Sequence, residues 1–355
     1  MTTYQVFDSS QVEEWNSVLA EIGGTDIYYS PSYCKISENN GEGSAHLFVY
    51  REGADIVCYP YLMRRINDLP LPFTHNLNQD YYDIITPYGY GGPITNVVDE
   101  EHHLCLGESF GNTFGAYCQE AGIVAEFVRF HPILQNHALY KAVNPTNIRQ
   151  TVCMDLSKDI IASLKDTCRN RVRYAIKHGL TVVKENPHQL EVFMDMYYET
   201  MNKNQANKYY YFPETYFHDS VNLLGEQNIS LFSAKLEDQT IASALFIHSH
   251  DFVSYHLTGS DKSYLKYAPY NILLTEAAIW FQSLGYKYLH LGGGYRGNDE
   301  LFRFKRTFTN DKPLEFYIGR KVHHPEIYES LSRGIQSQGD YFPIYRSYLL
   351  PTQEE

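Results

Sequence analysis

The chain has 355 residues, 43% hydrophobic and 15% aromatic, which excludes a disordered protein and suffices for roughly two domain cores. Its net charge of −13 excludes an extended nucleic-acid surface, because such surfaces need many cations to neutralise phosphates. The N-terminus lacks the basic and apolar regions of a signal peptide, and no segment approaches about 18 uninterrupted apolar residues. We therefore expect a cytoplasmic protein without a transmembrane segment.

Helical and β-type segments alternate through the first part of the chain. Apolar spacing and turn residues predict helices over 10–22 and 100–122, a short helix after the turn at 28–33, and strands over 46–50, 56–63 and 124–130. The segment 83–93, DIITPYGYGGP, has too much Gly, Pro and Tyr for a regular element and is a candidate ligand loop. We place a first domain at residues 1–150.

The second part repeats this order. The patterns predict helices over 159–178, 188–202, 213–224 and 270–284, with strands over 151–156, 229–236, 240–248, 252–258, 286–291 and 314–319. Both halves are therefore of the mixed α/β (α+β) class, and the repetition favours a duplicated architecture over one large sheet. We place the second domain at residues 151–345.

The stretch 288–309, YLHLGGGYRGNDELFRFKRTFT, is the strongest candidate site. Three glycines, Gly292, Gly293 and Gly294, allow backbone N–H groups to approach a ligand or oxyanion, and three cations follow them. The alternative is a tight turn followed by a solvated basic strand. The glycines also match the dinucleotide fingerprint G-x-G-x-x-G, but no convincing helix follows them, so we interpret this match as accidental.

Other segments carry weaker signals. Arg169 and Arg173 share one helix face and suit either phosphate binding or solvation. Polar groups beside aromatic rings in 199–217 suit sugars, or else a tyrosine-rich core edge. His256 suits a general base or a satisfied strand histidine. We expect no metal site, because the histidines near residue 250 lack further ligands and the six cysteines contain no C-x-x-C pair.

Six segments, taken in order, resemble the Fem-type branch of the GNAT acyltransferase superfamily. They are TPYGYGGP at 86–93, RFHP at 129–132, RNRVRYAIKHG at 169–179, ETMNKNQA at 199–206, YHLTGS at 255–260 and LHLGGG…LFRFK at 289–305. The resemblance implies two tandem GNAT-like domains, each a mixed twisted sheet flanked by helices. It further implies transfer of an acyl or aminoacyl group to an amine on a cell-envelope precursor.

The resemblance also implies roles for individual residues. Lys305 and the backbone of Phe304 correspond to a Phe-Lys pair that stabilises the oxyanion. As proton acceptor we expect His256 or Tyr255, with substrate phosphate or water as the alternative. Lys35 and Thr200 are similar to positions that hold a nucleotide-linked sugar. The remaining predicted substrate-binding residues are the three glycines and Tyr88, Tyr90, Arg129, His131, Arg169, Arg173, Asn204 and Tyr210.

The donor stays open between acyl-CoA and aminoacyl-tRNA, and no tightly bound cofactor is expected. The usual GNAT phosphate loop is rich in glycine, whereas residues 261–273 read DKSYLKYAPYNIL. Lys262, Lys266 and the start of the following helix would have to hold the phosphates instead. The expected acceptor is a nucleotide- or lipid-linked sugar. The alternatives are a tRNA-dependent peptidoglycan cross-bridge transferase and a non-catalytic carbohydrate-binding module.

Overall fold

A computed structural model describes residues 2–71, 74, 77–295, 297–335 and 340–349. The elements in chain order are β1 (Thr2–Asp8), α1 (Val12–Ile22), α2 (Pro31–Asn39), β2 (Ser44–Glu52), β3 (Asp55–Arg65), β4 (Tyr82–Ile85), β5 (Ile94–Thr95), α3 (Glu100–Glu120), β6 (Ile123–Arg129), β7 (Thr146–Asp155), α4 (Ile160–Ser163), α5 (Asp166–Lys177), β8 (Leu180–Glu185), α6 (Glu191–Lys203), α7 (Glu214–Leu224), β9 (Ile229–Leu236), β10 (Gln239–Ser249), β11 (Phe252–Ser260), α8 (Pro269–Ser283), β12 (Tyr288–Gly293), α9 (Glu300–Lys305), β13 (Leu314–Val322) and α10 (Pro325–Ser332).

The chain divides into two units. One comprises Met1–Gly23, Tyr28–Ile148 and Phe316–Glu355, and the other comprises Gly24–Ile27 and Arg149–Glu315. The division after Ile148 lies close to the predicted boundary at residue 150. The predicted second domain, 151–345, differs from the structure at its end: residues from Phe316 onward belong to the first unit, because β13 pairs with β6. This pairing links residues far apart in sequence, which local patterns do not reveal.

In the first unit, strands pair in the order β1-β2-β3-β4-β6-β13, and β5 pairs with β3. All of these pairs are antiparallel except β4 with β6. Helix α3 supplies Phe110 and Phe114, one turn apart, to a core that includes Phe48 and Tyr59. The segment 83–93 was expected to be irregular throughout, but its first residues belong to β4, where Ile84 is buried.

In the second unit, strands pair in the order β7-β12-β11-β10-β9-β8. Again one pair is parallel, β11 with β12, and α8 connects its two strands. Helices α5 and α8 pack together over a core that includes Val172, Ile272 and Phe246. The order of elements and the mixed pairing confirm the predicted fold class.

Several predicted elements need correction. The single helix expected over 159–178 is two helices, α4 and α5, separated where the N–H of Lys165 donates to the carbonyl of Thr307 at 2.9 Å. Strands β1 and β8 were not predicted. Helix α9 replaces the basic strand that was considered after the glycines. Among the described residues, no helix combines the length and apolar character needed to cross a bilayer.

The parallel strands β11 and β12 separate partway along their length. In the described residues they pair through Phe252–Ser254 and Tyr288–His290 and not beyond. Each strand has a β-bulge there: His256 is the extra residue of β11 against β10, and Leu291 is that of β12 against β7. Because bulges bend strands and disrupt pairing, the two strands part beyond Ser254 and His290. A crevice at the carboxyl ends of parallel strands is a common ligand position in α/β sheets.

Candidate functional site

The glycines at the end of β12 are required by the local fold. Gly292 has a φ of +74°, a left-handed conformation that favours glycine. A Cβ atom at Gly293 would lie 2.9 Å from the carbonyl oxygen of Gln150, and one at Gly294 would clash with Oδ1 of Asp299. These constraints explain the glycines without a ligand, so their predicted substrate contacts remain predictions.

Asp299 organises the segment that follows the glycines. Its carboxylate accepts hydrogen bonds from the N–H of Tyr295 at 2.6 Å and from the N–H of Phe302 at 2.9 Å. The second bond is an N-cap, which satisfies a backbone donor in the first turn of α9. Sequence reasoning missed this residue, although an Asp directly before Glu-Leu-Phe is a recognisable helix-start signal.

Lys305 ends α9 and is only 8% exposed. Its Nζ donates a hydrogen bond to the carbonyl oxygen of Gly293 at 2.8 Å and lies 5.9 Å from the centre of the Tyr255 ring. Burial lowers the pKa of Lys305 to about 8, while the charge of Asp299 acts in the opposite direction. At neutral pH the group is therefore mostly a buried ammonium, placed beside both β11 and β12 beyond the point where they separate.

Phe304 is half-buried and packs at the edge of the core of the second unit. Its carbonyl accepts hydrogen bonds from the N–H and hydroxyl of Thr307. Its N–H belongs to the last turn of α9, where backbone donors point to carbonyls one turn earlier. The geometry therefore favours the Lys305 ammonium over the Phe304 N–H as the oxyanion donor of the predicted pair.

Tyr255 and His256 contact different parts of the second unit. Tyr255 packs against Phe246 and faces Lys305, and burial raises the pKa of its phenol well above the ordinary value. His256 Nε2 lies 3.1 Å from the hydroxyl of Tyr216 on α7, and burial lowers the pKa of His256 to about 4. At neutral pH Tyr255 is protonated and can donate a proton, whereas His256 is a neutral, weak base.

The predicted sugar-binding residues of 199–217 have mixed roles. Thr200 Oγ1 donates to the carbonyl of Met196 at 2.8 Å and accepts from the N–H of Ser260 at 3.2 Å, so it ties α6 to the end of β11. Asn204 is exposed at the C-terminus of α6. The carbonyl of Tyr210 accepts a hydrogen bond from the hydroxyl of Tyr197. Of these three residues only Asn204 is exposed, while the Thr200 hydroxyl joins two elements.

Arg169 has hydrogen-bond partners within the protein, whereas Arg173 is exposed. The guanidinium of Arg169 donates to the carbonyls of Leu164 at 2.8 Å and Ile161 at 3.2 Å, which caps the end of α4. This explains Arg169 without a phosphate. Arg173 is exposed on α5.

In the first unit, three predicted residues, Tyr88, Tyr90 and His131, form part of an aromatic and polar network. The ring of Tyr90 packs against Tyr28 at 5.5 Å and against His131 at 5.9 Å. His131 is buried, and its Nδ1 accepts the N–H of Leu134 at 3.2 Å. The carbonyl of Tyr88 accepts a hydrogen bond from Tyr33 at 2.7 Å. The structure thus brings Tyr90 and His131 into contact.

Two cations of the first unit have partners of their own. Lys35 Nζ binds Glu38 Oε1 at 2.6 Å, one turn along α2. The backbone N–H of Arg129 donates to Thr86 Oγ1 at 3.1 Å, and its guanidinium donates to the Thr86 carbonyl at 3.2 Å. Lys35 remains about one third exposed, so an acceptor phosphate would have to share or displace the Glu38 carboxylate.

The glycine-free segment 261–273 forms a 3-10 turn, Lys262–Tyr267, and then the start of α8. Ala268 is the N-terminal residue before α8, with a φ of +62°. Tyr270, in the first turn of α8, is half-buried close to Tyr255, Thr258 and Ser260, and burial raises the pKa of its phenol. The sequence did not single out Tyr270.

Two surface cavities lie away from Lys305 and Tyr255. The second unit has one of about 430 Å³ on strands β9 and β10, whose lining includes Glu185, Glu191 and Lys235. The first unit has one of about 520 Å³ against α3. Neither is lined by Lys305 or Tyr255. Within the described part of the chain, no group of three or more His, Cys, Asp or Glu side chains is arranged to hold a metal ion.

Comparisons with known proteins bear on the fold and on the second unit. Residues 162–306, all within the second unit, match the family model described as an acetyltransferase (GNAT) domain. No curated protein sequence matches the chain. The crystal structure of FemX resembles it with a TM-score of 0.65 and 13% identity, over 92% of this chain and 99% of that one.

Two further structures resemble the chain at lower scores. One is the C-terminal domain of a putative lysylphosphatidylglycerol synthetase from Agrobacterium fabrum, with a TM-score of 0.52 and 13% identity over 90% of this chain and 95% of that one. The other is a tandem GNAT protein from the clavulanic acid biosynthesis pathway, with a TM-score of 0.50 and 8% identity over 90% and 98%. Identities this low show the fold alone. The chain therefore has a fold like those of FemX and the tandem GNAT protein, and its residues 162–306 match a GNAT domain model.

Proposed function

We propose that this protein is a cytoplasmic N-acyltransferase. It transfers an acyl group, aminoacyl groups included, to an amino group of a nucleotide- or lipid-linked sugar or another cell-envelope precursor. The observation that carries the proposal is the buried Lys305 ammonium, held on the Gly293 carbonyl beside Tyr255 where β11 and β12 part. The GNAT family match and the FemX-like fold support the reaction class.

The reaction needs a developing negative charge to be stabilised. The lone pair of the acceptor amine attacks the acyl carbonyl carbon, and the carbonyl electrons move to oxygen. An ammonium in a mostly water-excluded site stabilises this oxyanion more strongly than one in water does. The tetrahedral intermediate then expels the thiolate or alkoxide of the donor, and the proton from the amine is released.

The proton gained by the leaving group and the proton lost by the amine are handled by different groups. Because burial raises the pKa of Tyr255 well above its ordinary value, the phenol keeps its proton at neutral pH. Tyr255 therefore suits protonation of the leaving group, the reverse of the proton acceptor that the sequence suggested. The amine enters as its free base and loses its extra proton to water or to a substrate phosphate.

The donor is placed by the parting strands and by α8. The separated segments of β11 and β12 leave room for an extended acyl donor, and the N-terminus of α8 favours its anionic groups through the helix dipole. Lys262 and Lys266 are exposed just before α8 and add positive charge. We take acyl-CoA as the donor and expect no tightly bound cofactor.

A second candidate is aminoacyl transfer from charged tRNA. It is favoured by the absence of glycine from residues 261–273 and by the likeness of the fold to FemX. Under both candidates the predicted acceptor-binding residues include Tyr88, Tyr90, Arg129, His131 and Lys35.

The test supplies purified protein with an amino sugar nucleotide and either acyl-CoA or charged tRNA. Product formation from acyl-CoA that ribonuclease does not affect supports the first candidate, and transfer that ribonuclease abolishes supports the second. A carbohydrate-binding module without activity would show an increased melting temperature with the sugar nucleotide but no product with either donor. That result would overturn the proposal.

A further inference from the structure

One face of α5 carries positive charge in a strongly acidic chain. Residues 165–178 contain five Lys or Arg and one Asp, whereas the whole chain has a net charge of −13. The outward arc of α5 presents Arg171, Arg173, Tyr174, Ile176 and Lys177, and we call these residues the α5 face. The opposite arc is buried through Cys168, Val172 and Ala175. A basic amphipathic helix of this kind is typical of surfaces that bind anionic partners.

Apolar side chains are exposed on the same face. Ile176 is 55% exposed and Tyr174 is 37% exposed. Ile161 on α4, which Arg169 joins to α5 through hydrogen bonds, is 42% exposed. Exposed aliphatic side chains gain free energy when they enter the boundary between lipid headgroups and acyl chains, but they offer little to a nucleic acid.

Contacts with the segment before α8 hold the face in place. Arg171 donates a hydrogen bond to the carbonyl of Lys266 at 2.8 Å, and its guanidinium lies 4.9 Å from the centre of the Tyr174 ring. The ammonium of Lys266 lies 5.1 Å from the centre of the Tyr267 ring. Cations and aromatic rings thus form a continuous exposed patch. Tyrosine prefers the headgroup region, where its ring is apolar and its hydroxyl is hydrated.

We propose that the α5 face docks the protein onto an anionic lipid membrane. The positive charge selects anionic headgroups, and Ile176 with Tyr174 provides shallow insertion. The net negative charge of the rest of the chain is repelled by the same membrane, which favours an approach with the α5 face toward the lipid. The proposal goes beyond acyl transfer, because docking does not depend on which donor or acceptor the site uses.

The experiment measures flotation of the full chain with lipid vesicles. We expect the protein to bind phosphatidylcholine vesicles that contain about 30% phosphatidylglycerol and not to bind vesicles of pure phosphatidylcholine. Binding to the anionic vesicles should weaken as the salt concentration is raised from about 50 to about 500 mM. Arg173→Glu with Lys177→Glu should reduce affinity at least about 25-fold, about fivefold for each cation removed. Ile176→Ser should reduce it about tenfold with an unchanged salt dependence.

The matched control is Lys141→Glu with Lys312→Glu, which makes the same change in net charge at exposed positions on other elements. It should bind like the unaltered protein. Circular dichroism and melting temperature verify that each variant folds. The proposal is overturned if the unaltered protein does not float with anionic vesicles, or if the α5 variant binds as well as the control. It is also overturned if an RNA duplex displaces the vesicles while Ile176→Ser binds normally, or if the face instead mediates self-association.

Discussion

The ammonium of Lys305 and the carbonyl of Gly293 are joined by a hydrogen bond of 2.8 Å, which ties the last turn of α9 to the end of β12. An ammonium has three N–H donors, so this bond orients the group and leaves two further donors. The buried cation is thereby fixed in position before any substrate arrives. Such preorganisation is what makes an oxyanion site effective.

Replacing Lys305 should therefore impair chemistry more than folding. We expect Lys305→Met to lower kcat about 100- to 1000-fold, with little change in the KM of either substrate. The free energy of unfolding should not fall much, because a buried charge is replaced by an apolar chain of similar length. Steady-state kinetics and urea unfolding measure the two effects. Full activity in Lys305→Met would remove this residue from the mechanism.

The lowered pKa of Lys305 predicts a distinctive dependence on pH. The folded value is about 8 and the ordinary value is 10.5, so the unfolded chain binds more protons between these pH values. Stability relative to Lys305→Met should then rise as pH increases from about 8 to about 10.5, by up to about 3 kcal/mol.

The same shift should limit activity in alkali, because the neutral amine no longer stabilises an oxyanion. We expect kcat to fall above about pH 8. Lys305→Arg, which stays charged, serves as the control and should shift this fall to higher pH even if its maximal rate is lower. If kcat fell at the same alkaline pH in the unaltered protein and in Lys305→Arg, the fall would belong to a group other than Lys305.

Tyr255 and His256 are adjacent in sequence, but we expect their replacement to have different effects on kcat. Tyr255→Phe keeps the ring beside Lys305 but removes the proton that we assign to the leaving group, so kcat should fall about 100-fold. His256→Asn should have a much smaller effect on kcat, since His256 contacts Tyr216 of α7. The measurement is kcat of Tyr255→Phe and of His256→Asn at neutral pH, each compared with the unaltered protein. The reverse ranking would restore His256 as the proton acceptor.

Thr200 should affect stability rather than acceptor binding. Thr200→Val leaves the Ser260 N–H without the oxygen that accepts it, and we expect a loss of about 1–2 kcal/mol in unfolding free energy. Thr200→Ser retains the hydroxyl and should lose much less. Denaturant unfolding measures both. If Thr200→Val instead raised the acceptor KM more than tenfold at unchanged stability, the substrate role implied by the resemblance would be correct.

Local sequence patterns were sufficient for most long elements. Phe110 and Phe114 recur at helical spacing and lie on the buried side of α3 as predicted. The resemblance selected Lys305, whose burial and hydrogen bond make it the best-supported site residue. Short elements were missed, because the six residues of α9 carry less than two turns of periodicity. There the informative signal was the capping Asp299.

Other residues have partners that the sequence analysis did not consider. Arg169 resembled a phosphate ligand, but α4 stops at Ser163 and presents unsatisfied carbonyls that Arg169 fills. Lys35 was selected by position alone, although Glu38 three residues later is a partner that helical spacing could have suggested. The placement of β13 with β6 joins residues almost two hundred positions apart and was inaccessible to any local pattern.

Residues from Phe316 onward complete the first unit, and this order affects folding during synthesis. A ribosome releases Arg149–Glu315 before β13 exists, so the second unit can fold while the first still lacks a strand. The late segment also carries Arg346, whose guanidinium pairs at 2.6 Å with the buried carboxylate of Asp83. Until β13 and Arg346 have been synthesised, the edge of β6 remains uncovered, and Asp83 has Arg64 but not Arg346 as a partner. Nascent chains that have emerged from the ribosome only as far as residue 315 should therefore expose the first unit, and not the second, to proteases and chaperones.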